Sequence, residues 1–134
     1  MNRQDILSAL VLAEKAYGIV DTLHIFYGSN IKMRLGYTRS ACEASIDEMQ
    51  LSVRSWNALR RVGIATVGEL IDTINGDGLM KIRNLGRKSM IEIKTKIMMM
   101  GFSHLSEREK MAFFEFLVDN NTLRSGAMNK SHNG

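Results

Sequence analysis

Apolar residues recur with the period of an α-helix along most of this chain. In residues 3–20 they fall at alternating four- and three-residue steps, at Ile6, Leu10, Ala13, Tyr17 and Val20. A second apolar set lies on another face of the same helix, at Leu12, Ala16, Ile19 and Leu23. A helix that is apolar on two faces requires packing partners on both. The pattern therefore predicts an N-terminal helix that packs against other helices.

Residues 22–37 permit two interpretations. Apolar and polar residues alternate from Ile31 to Tyr37, opposite a β-branched and aromatic run, with a Gly-Ser-Asn turn between the two. This arrangement suggests a β-hairpin. The alternative is that the first helix continues to Tyr27.

N-cap residues mark where further helices begin. Ser45, Thr66 and Ser106 each precede a Glu by three residues, which is the spacing of a capping box. Ser52 is an N-cap for a helix over residues 53–61. A short glycine turn separates this helix from the one that opens at Thr66, so the two predict a helix-hairpin-helix unit.

A second unit of the same kind follows. Residues 79–82 predict a short helix, residues 83–86 a turn, and residues 87–100 a long helix with Gly101 as its C-cap. Residues 75–78 are a loop by composition. The core is assigned to Leu51, Val53, Leu59, Val62, Ile64, Val67, Leu70, Ile71, Leu79, Ile82, Leu85, Ile91, Ile93 and Ile97. We expect a mainly α-helical fold: a compact bundle of short helices with two helix-hairpin-helix elements, extended by an N-terminal helix, with or without the β-hairpin, and a C-terminal helix.

Composition narrows the classes of function. The 134 residues fit one small domain with appendages, and no apolar stretch approaches the ~20 residues of a membrane-spanning helix. There is one cysteine, Cys42, and no His and Cys cluster with metal-ligand spacing. No nucleophile motif, Walker loop or dinucleotide fingerprint is present. We therefore expect no enzymatic activity, no cofactor, no metal and no membrane contact, and a cytoplasmic location.

Positive charge is concentrated in one segment. Residues 81–96 carry six Lys and Arg against Glu92 alone, a net charge of +5, whereas the whole protein has a net charge of +4. Such a segment suits a polyanion, although by charge alone a solvated helix face is the favoured interpretation. The groups within the segment favour a phosphate ligand. Amides at a helix N-terminus are unpaired and carry partial positive charge, and Gly86 has no Cβ to keep a phosphodiester away from them.

Polar residues around this glycine strengthen the interpretation. Lys88 and Ser89 add a charge and a hydroxyl, and Asn84 can order the turn or donate a hydrogen bond. The alternative is a structural glycine turn with surface cations; we favour contact with DNA.

A second polar group lies upstream. Arg54 and Asn57 are three residues apart and therefore on one side of their helix. An arginine near a helix start can enter a narrow minor groove, where A·T tracts concentrate negative potential. Trp56 can stack on a sugar or base, but packing against the core is the favoured interpretation.

Residues 51–59 and 82–93 together resemble the C-terminal domain of the bacterial RNA polymerase alpha subunit, and the resemblance covers about residues 45–102. In that family an Arg and an Asn on one helix, an Asn-x-Gly-x-Lys-Ser turn and a following Glu form the DNA-facing determinant. The resemblance implies a DNA-binding set of Arg54, Asn57, Asn84, Gly86, Lys88 and Ser89, with Glu92 orienting the basic groups and Arg87 peripheral. It also implies recognition of A·T-rich promoter DNA through the minor groove and backbone.

Both ends of the chain lie outside the resemblance. We expect residues 1–44 to form an extension for packing or dimerisation, residues 103–120 an amphipathic helix and residues 121–134 a flexible tail. The 44 residues before the module are too few for the assembly domain of an alpha subunit, so we expect a stand-alone protein of bacterial or phage transcription. Glu48 keeps one of the acidic residues that contact sigma factor in the family, while Gln50 stands nearest the arginine helix.

Three functions remain open. The first is non-catalytic binding of A·T-rich double-stranded DNA in the nucleoid, any polymerase activity belonging to a holoenzyme. The second is a protein-docking mimic of the alpha domain that binds sigma factor, RNA polymerase or transcription regulators. The third is general helix-hairpin-helix binding of DNA in repair or recombination. A homodimer is a further expectation, because the end helices exceed what the module needs.

Overall fold

The computed structural model describes residues 2–76 and 78–126, which are mainly α-helical as the sequence predicts. Their helices are α1 Arg3–Tyr17, α2 Ile19–Tyr27, α3 Arg39–Glu43, α4 Val53–Arg61, α5 Val67–Asn75, α6 Arg87–Ser103 and α7 Glu107–Asn120. Two short 3-10 turns cover Ile46–Met49 and Leu79–Lys81. The described residues contain no β-strand, and the only extended pairing among them is an isolated antiparallel bridge between Ser45 and Thr66.

The chain forms two compact units. The terminal unit consists of Met1–Leu35 and Leu105–Gly134, and the central unit consists of Gly36–His104. The segments at the two ends of the chain therefore fold together, while the module of about 45–102 lies within the central unit. None of the described helices combines the length and the apolar character needed to cross a membrane.

In the terminal unit, α1 packs against both α2 and α7. Leu10 and Leu117 are fully buried, and the rings of Phe113 and Phe114, also buried, form a tilted pair with centroids 6.0 Å apart. Arg3 Nε donates to Asp119 Oδ1 at 2.8 Å, which joins the first turn of α1 to the last turn of α7. The face of α1 that carries Leu10 thus has the partners that its apolar pattern requires. The predicted second face does not, because Leu12 is 69% exposed and Ala16 is exposed as well.

The β-hairpin interpretation of residues 22–37 is wrong, and the helical alternative is nearer the structure. A new helix starts after Gly18 (φ +84°) and ends at Tyr27, where Gly28 (φ +80°) is the C-cap. Phe26 and Tyr27 in its last turn are buried. Residues 28–38 form neither helix nor strand. The backbone N–H and C=O of Lys32 instead bond the side chain of Asn121, both at 2.7 Å, so they need no partner strand.

The central unit is built around one apolar cluster. Leu59, Val67, Leu70 and Ile93 are fully buried in it, and Leu51, Ile71 and Leu85 pack against it partly buried. The sequence-based assignment to the core is wrong for three residues: Val53, Val62 and Ile91 are 75%, 53% and 56% exposed. Val53 is the first residue of α4 and Val62 its C-cap, where the helix surface turns to solvent.

The predicted C-cap at Gly101 is also wrong, because α6 continues to Ser103 and is capped by His104. Gly101 is buried inside the helix, and a Cβ at this position would overlap the ring of Tyr37. The glycine therefore permits close packing and does not end the helix. The capping boxes predicted at Ser45, Thr66 and Ser106 are all confirmed.

The described residues after α7, 121–126, are hydrogen-bonded to the N-terminal part of the terminal unit. Besides the bonds of Asn121 to Lys32, the Arg124 N–H donates to the Phe26 carbonyl at 2.7 Å. Residues 127–134 of the expected flexible tail, and Asp77 of the expected loop over residues 75–78, lie outside the described residues.

Candidate nucleic-acid interface

The start of α4 is set by serine side chains. Ser52 Oγ accepts from the Ser55 N–H at 3.3 Å and caps the helix, as the sequence predicts. From this fixed start, the three-residue spacing directs Arg54 and Asn57 to one side, and both side chains are exposed.

The start of α6 is built differently. The turn before it contains Asn84 in the left-handed region (φ +67°), a conformation that asparagine adopts more readily than most residues. Gly86 is the N-cap and makes no side-chain hydrogen bond to the first turn, while its carbonyl accepts from the Met90 N–H at 3.0 Å. The first amides of this 17-residue helix are therefore left without a side-chain cap among the described residues.

These two starts face a common cavity of about 680 Å³, named here the α4–α6 cavity. Four of the predicted DNA-binding residues line it: Arg54, Asn57, Asn84 and Gly86. Its remaining lining residues are Ala58, Arg61 and Leu85. The folded protein thus brings together two polar groups that lie about 27 residues apart in the sequence.

The other predicted residues lie outside the lining of this cavity. Arg87 and Lys88 are exposed in the first turn of α6, directly after Gly86. Ser89, the third residue of that turn, is only 6% exposed. Its hydroxyl therefore offers far less surface to a ligand than its position in the sequence indicates.

Arg61 is a lining residue that the sequence reasoning missed. It follows Asn57 by four residues and Arg54 by seven, so it lies on the same face of α4. The helical spacing therefore contained the signal, but the resemblance directed attention to Arg54 and Asn57 alone. Arg61 adds a second guanidinium to the cavity.

Glu92 fastens α6 to the start of α4. One of its carboxylate oxygens accepts from the Ser52 N–H at 2.8 Å, and the other accepts from the hydroxyls of Ser52 and Ser55 at 2.9 and 2.5 Å. Burial acts to raise the pKa of Glu92, but the bonds from Ser55 and Ser52, together with Lys96 at 3.7 Å, outweigh burial and lower that pKa. The carboxylate thus holds the helix start from which Arg54 projects.

Trp56 packs against the core, as the favoured interpretation held. Its Nε1–H donates to Asp47 Oδ1 at 2.5 Å, and the Arg60 guanidinium lies 5.5 Å from the centre of its ring system. Both contacts hold the indole within the protein. Trp56 is not among the residues that line the α4–α6 cavity.

Glu48 lies at a different surface. One of its carboxylate oxygens accepts from the Ser45 N–H at 3.2 Å and completes a capping box. Glu48 also lines a cavity of about 380 Å³, together with Met49, Gln50, Lys96, Met99, Met100, Ser103 and His104. This second hollow combines methionine side chains with charges of both signs.

The two units differ in net charge. The central unit contains ten Lys and Arg and seven Asp and Glu, a net charge of +3. The described part of the terminal unit, residues 2–35 and 105–126, contains seven of each and is neutral. Among the described residues, no group of three or more His, Cys, Asp and Glu is placed to hold a metal ion.

Comparison with known proteins confirms the resemblance for the middle of the sequence. Residues 37–98 match the family model for the C-terminal domain of the bacterial RNA polymerase alpha subunit. Over 67 residues, 50% of this protein, the sequence is 51% identical to the DNA-directed RNA polymerase subunit alpha of Carboxydothermus hydrogenoformans. Over 61 residues, 46% of the protein, it is 49% identical to the same subunit of Symbiobacterium thermophilum. The matched segment spans 21% and 19% of those relatives.

Proposed function

We propose that the central unit binds double-stranded DNA in a transcription-related role, without catalysing a reaction. The observation that carries the proposal is the α4–α6 cavity, where Arg54, Asn57, Asn84 and Gly86 meet at the uncapped start of α6. A helix start of this kind attracts phosphate through its free amides and partial positive charge. The resemblance to the alpha C-terminal domain supports the same conclusion.

The glycine at position 86 is evidence for a ligand from outside the protein. Its φ of −78° is open to any residue, and a Cβ added here would meet no protein atom within 4 Å. Neither backbone conformation nor packing therefore requires a glycine at this position. Close approach of a phosphodiester to the α6 amides does require one.

In this proposal the residues divide the contact between groove and backbone. Arg54 enters the minor groove, where A·T-rich sequence narrows the groove and strengthens its negative potential. Asn57, Asn84, Gly86 and Lys88 hold the flanking phosphates, with Arg61 and Arg87 beside them. Ser89, being buried, contributes chiefly through its backbone amide, and Glu92 acts by positioning the start of α4.

The test compares two arginines on one helix. Fluorescence anisotropy with an A·T-tract duplex and a G·C duplex, at several salt concentrations, should show tighter A·T binding and a steep salt dependence. Arg54→Ala should weaken A·T binding by about 1–3 kcal/mol, the scale of a lost base-edge or groove contact. Arg60→Ala is the matched control, because Arg60 lies over Trp56 and does not line the cavity.

Two results would contradict the proposal. If Arg54→Ala binds A·T duplex as tightly as the unmodified protein, the groove assignment is wrong. If the unmodified protein binds the A·T and G·C duplexes equally, and Arg54→Ala lowers both affinities by the same amount, the groove contact is not selective. The unit is then a general helix-hairpin-helix DNA binder, as in repair or recombination.

The cavity at Glu48 favours a second candidate, docking onto a transcription protein such as sigma factor or RNA polymerase. Met99 is 49% exposed in that hollow, and Lys96 and Glu48 flank it with opposite charges. Binding to purified polymerase should then weaken in Met99→Asp and persist in Arg54→Ala at high salt. Met80→Asp is the control, since Met80 is 83% exposed and does not line this hollow. Equal loss in both methionine variants would reject this surface.

A further inference from the structure

The α4–α6 cavity contains positive charge that its own walls do not neutralise. Its described lining includes the guanidinium groups of Arg54 and Arg61 and no Asp or Glu. Arg61 is exposed, and none of the described residues forms a hydrogen bond, an ion pair or a ring contact with its guanidinium. Two like charges at one cavity repel each other, and an anion from outside the protein offsets that repulsion. The cavity is therefore suited to an anionic ligand.

The neighbouring Arg60 shows that this arrangement is confined to one face of α4. The Arg60 guanidinium lies 5.5 Å from the centre of the Trp56 ring system, and Arg60 does not line the cavity. Arg61 follows it by one residue and is therefore rotated by about 100° around the helix axis. This rotation places Arg61 on the cavity face, together with Arg54 and Asn57. Of the two adjacent arginines, one is thus held by the protein and the other is available to a ligand.

Arg54 and Arg61 reach different places. Each side chain of an α-helix leans toward the helix N-terminus and covers the turn before its own Cα. Arg54, the second residue of α4, therefore leans past the helix start, whereas Arg61, the last residue, leans over the turn that contains Asn57. Their Cα atoms are about 10 Å apart along the axis, more than the roughly 6 Å width of the minor groove. With Arg54 in the groove, Arg61 thus lies beside Asn57, which the proposed function assigns to the phosphates.

We infer that Arg61 binds a phosphate of the DNA backbone and supplies affinity without sequence preference, while Arg54 supplies the preference for A·T-rich duplex. The inference rests on the proposed DNA-binding function and adds a residue outside the set that the resemblance implies. A guanidinium matches a phosphate with two parallel N–H donors, which makes the contact a pair of charge-assisted hydrogen bonds. Neutralising one phosphate releases condensed counterions and contributes about 0.9 to the slope of log affinity against log salt concentration.

The salt dependence of binding tests the role of Arg61. Fluorescence anisotropy of the full-length protein with A·T-tract and G·C duplexes gives this slope for each variant. Arg61→Gln should weaken binding to both duplexes by the same factor, about tenfold, the scale of a hydrogen bond to a charged group, and should reduce the slope by about 0.9. Arg61→Lys keeps the charge, so its slope should equal that of the unmodified protein. The thermal midpoint of Arg61→Gln should stay unchanged, because the guanidinium has no partner among the described residues.

Arg60→Gln is the matched control, because it removes the same charge from the adjacent position outside the cavity. Its slope should stay close to that of the unmodified protein. The inference is overturned if Arg61→Gln leaves the slope unchanged or changes it no more than Arg60→Gln does, since net charge then explains any effect. It is also overturned if Arg61→Gln weakens binding to the A·T duplex alone, since Arg61 then lies in the groove.

Failure of the proposed function gives a different result. If Arg54→Ala binds A·T duplex as tightly as the unmodified protein, the groove assignment of Arg54 is wrong, and the slope of Arg61→Gln still decides the phosphate contact. If the unmodified protein binds neither duplex, the proposed function and the role of Arg61 are both rejected.

Discussion

Arg54 and Arg60 lie on the same helix, yet their surroundings give them different roles. Arg54 lines the α4–α6 cavity, whereas the Arg60 guanidinium is held over the Trp56 ring. The six-residue step from one to the other rotates the helix by well over one turn, which separates the two side chains. At the residue scale, therefore, position on the helix decides which arginine is available to a ligand.

Glu92 contributes both to the stability of the fold and to the position of Arg54 in the proposed binding surface. Its pKa is lowered in the folded state, so the unfolded protein takes up the proton first as the pH falls. The stabilisation from Glu92 is thus fully present above its ordinary pKa of 4.5. It is lost below that value, as the pH passes through the lowered pKa of the folded state.

We predict that Glu92→Gln lowers the thermal midpoint at neutral pH, because an amide replaces the acceptor of three hydrogen bonds. The difference between the two proteins should shrink as the pH falls below 4.5, because Glu92 is then protonated first in the unfolded protein and, at lower pH, in the folded protein too. Differential scanning calorimetry at a series of pH values measures this. A difference that stays constant down to pH 3, about 1.5 units below the ordinary pKa, would contradict the role given to the carboxylate.

At the element scale, the helix starts fall into two kinds. Asn2, Thr38, Ser52, Thr66 and Ser106 each cap a helix with a side-chain oxygen, whereas α2 and α6 follow glycines that have none. The start of α2 directly follows the end of α1, and the Thr22 hydroxyl donates to the Gly18 carbonyl. Only α6 combines an uncapped start with a polar cavity in front of it, within the described part of the protein.

We predict that Gly86→Ser separates folding from DNA binding. Serine is a good N-cap at the extended conformation found here, so the thermal midpoint should stay unchanged or rise slightly. The added hydroxyl accepts from an α6 amide and the Cβ keeps a phosphate away, so affinity for A·T duplex should fall by about 1.5–3 kcal/mol, the scale of a hydrogen bond to a charged group.

The control for this substitution is Gly36→Ser, where a Cβ also meets nothing within 4 Å and the site lies away from the cavity. Calorimetry and anisotropy on the same samples measure both quantities. Unchanged affinity in Gly86→Ser would show that no phosphate approaches this helix start.

At the scale of the whole molecule, residues far apart in sequence close the terminal unit. Asn121 bonds Lys32, 89 residues earlier, and Arg3 bonds Asp119, 116 residues later. The Arg3–Asp119 pair is half exposed, so screening by water leaves it little net contribution. The Asn121 contacts matter more, because they satisfy both backbone groups of Lys32.

We predict that Asn121→Ala destabilises the terminal unit by about 1–3 kcal/mol, since it leaves the Lys32 amide and carbonyl without these partners. Asn120→Ala is the matched control, because the Asn120 side chain bonds only the Phe116 carbonyl of its own helix. Hydrogen exchange of the Lys32 amide should accelerate in Asn121→Ala alone. Equal exchange rates in the two variants would show that the Asn121 hydrogen bonds do not hold the backbone at Lys32.

The sequence by itself determined the features that depend on near neighbours. The capping boxes join residues three apart, and the spacing of Arg54 and Asn57 gives them a common helix face, so both could be predicted without a fold. The mainly helical class and the resemblance over the middle of the sequence were also present in the residues. The proposed contact residues remain to be tested by the binding experiments.

Only the tertiary structure decided features that depend on distant partners. The side chain of Asn121 replaces the expected strand partner of Lys32, and the Tyr37 ring explains why Gly101 lies inside α6. The fold also brings Asn84 and Gly86 to the face of α4 that carries Arg54 and Asn57. Periodicity reports which residues share a face of a helix. Whether another element covers that face depends on packing between segments remote in sequence, which is why Val53 and Ile91 resembled core residues and are exposed.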